Sequence, residues 1–253
     1  ASGADGIVLD VKTGSGALME TLPDALALAQ TMVDIGKLAG KPVVAVITSM
    51  AQPLGTHIGN ALEVKDAIDV LAGRTQGDLL EISLLLGSHM LVLAEKAKTL
   101  PEARAMLENA LSSGAGLRKL AEMIAAQGGD PRVVEDLSLL PQAAVKRVMR
   151  AETAGYLSAM DTTALGMAAQ RMGAGRAKKS DMLDYSVGYV LHVRLGDEAT
   201  EDTPLATLYA RNEAEAEEAE KAIRKALTIA KEKPSVPPLW DAVVTAEGIT
   251  YNR

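Results

Sequence analysis

The chain has 253 residues, enough for one or two domains with a real core, and its 48% hydrophobic and 23% charged fractions are those of an ordinary soluble globular protein. No Phe, one Trp and 11 Met describe a core of small aliphatic side chains in which Met fills the gaps. The net charge of −7 argues against a nucleic-acid partner, which needs a basic face, and the absence of Cys excludes disulfides, thiolate metal sites and Cys nucleophiles.

A β-branched apolar run at 7–11 predicts a strand of buried character that drives into Lys12-Thr13-Gly14-Ser15-Gly16. Thr21 and Asp24, spaced as a capping box around Pro23, predict a helix over 24–38. Its Leu26, Leu28, Ala29, Met32, Val33 and Ile35 recur at helical spacing, and Gly36 and Gly40 end it. The continuous apolar run 42–48 predicts a second, parallel strand, so 5–48 reads as a β-loop-α-β unit with a right-handed crossover.

A loop over 49–59 leads into helices. One is capped by Asn60 and carries Leu62, Val64, Ile68 and Leu71; a strongly apolar, central one covers 79–96. Pro101 opens another over 102–111, and 117–126 stops at Gln127-Gly128-Gly129. Asp130-Pro131 is a cap with a first-turn proline. The character changes over 141–150; beyond it short strands are expected at 155–160, 187–193 and 204–210, with a helix at 162–172 and a turn at Asp202-Thr203. A charged last helix over 213–231 presents its acidic run as a solvated face supported by Lys221, Arg224 and Lys225. The expected fold class is α/β, a parallel or mixed sheet flanked by helices with a C-terminal α+β subdomain, divided into 1–150 and 151–253. The apolar run 79–93 is broken by Glu81, Ser83, Gly87, Ser88 and His89, and the start has no signal-peptide pattern, so no membrane partner is expected.

Gly14-Ser15-Gly16 after a strand reads either as an anion cradle of backbone N–H groups or as a tight strand-to-loop turn. It is not a Walker A loop, because Lys12 precedes the glycines, nor G-x-G-x-x-G, because Met19 stands where the third glycine belongs. Lys12 reads as a ligand-facing cation or as a partner for Asp10. Gln52-Pro53-Leu54-Gly55-Thr56-His57 also follows a strand; its stiff turn reads as a plain loop, or as carbonyls that with one carboxylate suit a hard cation of low charge density. His57, His89 and His192 are too scattered for zinc, and His89 inside an apolar helix reads as a satisfied core residue. Physical reading alone reaches an α/β ligand-binding domain with an appended subdomain.

Blocks along the whole chain resemble the pyrimidine nucleoside phosphorylase and thymidine phosphorylase family. They are Asp10-Val11-Lys12-Thr13-Gly14-Ser15-Gly16-Ala17-Leu18-Met19, Met50-Ala51-Gln52-Pro53-Leu54-Gly55 and Gly59-Asn60-Ala61-Leu62-Glu63-Val64. Gln127-Gly128-Gly129-Asp130-Pro131, Met160-Asp161 with Ala164-Leu165-Gly166, Asp184-Tyr185-Ser186-Val187-Gly188-Tyr189 and Leu195-Gly196-Asp197 continue the likeness. The resemblance implies phosphorolysis: a pyrimidine nucleoside and phosphate give free base and pentose 1-phosphate. It further implies a cytoplasmic, homodimeric transferase with no organic cofactor, in which an α/β domain closes on a helical one. Aligned phosphate and a stabilised departing base would answer the positive charge that develops on the sugar.

By that resemblance Leu18 stands at the family's aromatic next to the base and forms an apolar wall of the pyrimidine pocket. Gly14, Ser15 and Gly16 face the closing cleft, with Lys12 beside them. A monovalent cation, potassium, would be held by the carbonyls of Leu54 and His57 and by Asp66, which is shorter than the usual Glu. Ser49 replaces an Asp common before the Met. The family's K-x-S-x-G-G-x-G-D phosphate block, its S-G-R-G-L…T-G-G-T signature and its Arg…Ser-x-x-x-Lys pyrimidine set lie upstream of these blocks and do not occur in the 253 residues. The expectation is the C-terminal part of a longer enzyme, partnered by the missing N-terminal part, contributing no catalytic residue of its own and inactive alone. Two readings compete. A nucleotide-acting phosphorylase is disfavoured by Gly14-Ser15-Gly16-Ala17. A non-catalytic binding or structural module is suggested by the biotinyl- or lipoyl-like look of the last hundred residues, which lack a carrier's lysine hairpin.

Overall fold

In the computed structural model, which describes residues 3–252, the elements run β1 (Ile7–Thr13), α1 (Leu22–Leu38), β2 (Val43–Ser49), β3 (His57–Ile58), α2 (Asn60–Leu71), α3 (Asp78–Leu93), α4 (Leu100–Ser112) and α5 (Ala115–Ala126). There follow β4 (Val145–Arg150), β5 (Gly155–Met160), α6 (Thr162–Ala169), β6 (Gly188–Leu191), β7 (Glu198–Ala199), β8 (Pro204–Ala210), α7 (Glu213–Ala226), β9 (Leu227–Ala230), β10 (Trp240–Thr245) and β11 (Gly248–Tyr251). They gather into two units, each discontinuous in sequence. The first comprises the chain up to Ala51, residues 76–115 and the chain from Pro237; the second comprises 52–75 and 116–236.

The first unit is built on a mixed sheet of order β1-β2-β10-β11. β1 and β2 are parallel, with Ile7 opposite Val43 and Thr13 opposite Ser49, as their apolar runs predict. On α1, Ala25, Ala29 and Val33 recur every fourth residue and share a core with Val11, Val43, Ala45 and Ile47. The Thr21 hydroxyl caps the helix by accepting the Asp24 N–H. At its far end Gly40 N–H bonds to Lys37 O and Lys41 N–H to Gly36 O, a Schellman closure. Gly36 therefore lies inside the last turn and does not end the helix.

Two features differ from the sequence reading. β1 is the edge strand, and Ile7 stays 38% exposed, so only Val11 and Thr13 have the buried character expected of the whole run. The sheet also gains β10, antiparallel to β2, and its hairpin partner β11. Both follow a proline-rich stretch and are short, which hid them.

The second unit holds two antiparallel sheets, β3-β6-β8-β4 and β7-β5-β9. Leu157, Leu165, Tyr189, Leu191, Leu208 and Ile223 are fully buried between them and α6 and α7, and the Tyr189 hydroxyl donates to the Leu165 carbonyl at 2.8 Å. β4 lies where only a change of character was expected; its Lys146 and Arg147 mask the strand pattern. The charged helix stops at Ala226, not 231, because β-branched Thr228 and Ile229 pair with β5. Asn60 is the first residue of α2 and does not cap it; its side chain donates to Ala174 O at 2.8 Å. Among the described residues no helix is long and apolar enough to cross a membrane.

Candidate functional site

In the first unit the chain leaves β1 through a turn closed by Ala17 N–H to Gly14 O at 3.0 Å, and Thr13 bridges to Met19. Thr13 O accepts the Met50 N–H at 2.6 Å, which ties the turn to the end of β2. Position 14 requires glycine twice over: its φ is +113°, and a Cβ there would meet Ala51 N at 2.9 Å. Of the two readings of Gly14-Ser15-Gly16, the structure displays the turn. No helix begins at the glycines, since α1 starts only at Leu22. The turn leaves Leu18 90% exposed, as Met182 also is.

Lys12 sits opposite Thr48 in the β1–β2 register, and the two alternatives for it are decided by geometry. Its Nζ lies 2.8 Å from Asp10 Oδ2 and donates to Thr48 Oγ1 at 2.8 Å, while the Thr48 hydroxyl donates to the other Asp10 oxygen. Lys12 is thus the partner of Asp10, and the three side chains form a closed knot. Thr48, fully buried, went unmarked in the sequence; a polar residue ending an apolar run was the available signal.

Leu54, His57 and Asp66 all belong to the second unit. Asp66 is buried and accepts the Thr56 N–H at 3.3 Å, with His57 Nδ1 3.4 Å from its other oxygen. Burial pushes the Asp66 carboxyl up, but the His57 ring, its charge and the two backbone N–H groups outweigh that and hold it below the usual range. Lys65 reaches His57 Nε2 at 3.3 Å and Asp69 at 2.9 Å. The Leu54 carbonyl faces Arg194 Nη2 at 3.4 Å, and Arg194 Nη1 donates to Pro53 O at 2.7 Å. A cation on that carbonyl would lie about 5 Å from the guanidinium, a repulsion of roughly 3 kcal/mol at an effective dielectric of about 20. As they stand, these donors do not fit a resident monovalent ion. Arg194 also went unmarked, although it directly precedes Leu195-Gly196-Asp197. His89 is buried as expected but not satisfied: its Nε2 has no hydrogen-bond partner, and burial lowers its pKa.

Residues 1–117 match the glycosyl transferase family a/b domain, and residues 156–230 match the pyrimidine nucleoside phosphorylase C-terminal domain. The chain is 51% identical over 213 residues to the pyrimidine-nucleoside phosphorylase of Geobacillus stearothermophilus, covering 84% of this chain and 49% of the relative. The Bacillus subtilis (strain 168) protein of the same name gives the same figures. That of Staphylococcus aureus (strain N315) is 46% identical over 245 residues, 97% of this chain and 56% of the relative. The chain belongs to the pyrimidine nucleoside phosphorylase family. It spans about half the length of the curated relatives it matches. The glycosyl transferase match runs from β1 past α4, and the phosphorylase C-terminal match begins in β5 and ends with β9.

Proposed function

We propose that this chain is the C-terminal section of a pyrimidine nucleoside phosphorylase, and that the assembled enzyme moves a pentosyl group from a pyrimidine base to phosphate. The family match carries the reading: two domains in the family's order, with 46–51% identity to proteins of that name. In the reaction the C–N glycosidic bond breaks and a C–O bond to phosphate forms. The base leaves with the electron pair, and the proton given up by hydrogen phosphate ends on it.

Within that reaction exposed Leu18 is the apolar wall against the base, and the small residues Gly14, Ser15 and Gly16 leave room beside it. Lys12 acts through Asp10 and Thr48, stiffening the strand end that carries this turn. Groups that grip phosphate and the pyrimidine come from the section of the family chain that these residues do not span. The enzyme works as a cytoplasmic homodimer without an organic cofactor.

The test mixes this chain with the preceding section of the Geobacillus stearothermophilus relative and supplies uridine or thymidine with phosphate. Phosphorus NMR is expected to show pentose 1-phosphate in the mixture and none with the chain alone. Turnover by the chain alone, or free pentose in place of the phosphate ester, contradicts the reading.

A further inference from the structure

Three carbonyls of the loop joining β2 to β3 are bound by one side chain. Arg194 Nη1 donates to the Pro53 carbonyl at 2.7 Å and more loosely to that of Gly55 at 3.4 Å, and Nη2 reaches Leu54 O at 3.4 Å. The turn that presents Arg194 is itself fixed. Leu195 N–H donates to Gln52 Oε1 at 2.9 Å, and Arg194 N–H donates to Asp197 Oδ2 at 2.7 Å. Three consecutive carbonyls turned to one point make the oxygen rim that a hard cation seeks. Here a planar fork with a permanent positive charge fills it. The carboxylate at the other end of the loop, Asp66, is met by the Thr56 N–H and by His57.

We propose that Arg194 takes the place of a monovalent cation in this chain: its guanidinium neutralises the Pro53, Leu54 and Gly55 carbonyls and holds the loop leading to His57 and Asp66 without bound potassium. Arg194 is then a positioning residue. The inference concerns the second unit alone, so its failure and the failure of the phosphorolysis reading are told apart by different measurements.

The experiment follows hydrogen exchange of the 52–58 amides and the thermal midpoint of the 253-residue chain. Each is measured in potassium chloride and in tetramethylammonium chloride of equal ionic strength. The native chain is expected to give the same exchange rates and midpoint in both salts. Arg194→Met is expected to exchange about tenfold faster or more in tetramethylammonium chloride, since a hydrogen bond to a charged group is lost. Potassium should slow that exchange again as it enters the freed carbonyl rim. A saturable potassium effect on the native chain overturns the proposal, and so does an Arg194→Met chain that ignores potassium. If that variant does not fold, the native chain's response in the two salts still decides, and Arg194→Lys, which keeps a positive charge, should remain indifferent to potassium.

Discussion

The loops after β1 and β2 start from adjacent ends of two parallel strands, yet they are opposite in construction. The first is held by its backbone, through the Gly14–Ala17 turn and the Thr13–Met50 bond, and it turns Leu18 out to solvent. The second spends its polar groups internally: carbonyls on Arg194, Gln52 on Leu195, Asp66 on Thr56 and His57. Both look like ligand loops in sequence, because both follow a strand and carry Gly with polar residues. What they expose separates them. The first turns a large apolar side chain, Leu18, to solvent, whereas the second has the carbonyls of Pro53, Leu54 and Gly55 bound by Arg194.

The largest effect should come from breaking the second. Gly188 has φ +146°, and a Cβ there would lie 2.1 Å from Ile58 O, where β6 pairs with β3 at the far end of that loop. Gly188→Val should cost about 3 kcal/mol or more in urea unfolding, from strain and overpacking together. A loss under about 1 kcal/mol would mean that this strand pairing is loose. Gly14→Ala tests the open loop in the same way and should cost about 1–3 kcal/mol, because the left-handed backbone and Ala51 N leave no room for a methyl group.

Much of this was legible in sequence, and the exceptions have physical causes. Helix α1 was readable from Thr21, Asp24 and its apolar spacing, and β2 from an unbroken buried run. β10 and β11 were not, because a strand completing a distant sheet needs no local pattern of its own beyond a few apolar residues. α7 was overrun by five residues since charge and Ala content say helix, whereas pairing with β5 decides strand for Thr228 and Ile229. At the candidate site Leu18 and the glycines are singled out by their block alone. Thr48 and Arg194 act through long-range partners 38 and 140 residues away, which no local spacing reveals.

A smaller effect distinguishes the units by pH. His89 in the first unit is held below its ordinary value of 6.5 by burial. The unfolded chain takes up a proton there that the native chain refuses. Stability is therefore fully present above pH 6.5 and is lost as pH falls through the lowered native value, at most about 1.4 kcal/mol per pH unit. His192 in the second unit is also lowered, by burial and then by the charges of His57 and Lys146, so it adds a slope of the same sign. Urea midpoints at pH 7.5 and 5.5 should show His89→Leu removing the first part and leaving the second. An unchanged slope would show that His89 finds a proton acceptor in solution.

The smallest stability effect belongs to Leu18, whose exposed side chain can be changed to Asp within about 0.5 kcal/mol. That tolerance makes it the most direct probe of the difference between the loops. In the assembly of this chain with its relative's preceding section, Leu18→Asp should raise KM for uridine about tenfold, as a charge replaces an apolar wall, while KM for phosphate stays put. An unchanged uridine KM would contradict the assignment of the open loop to the nucleoside.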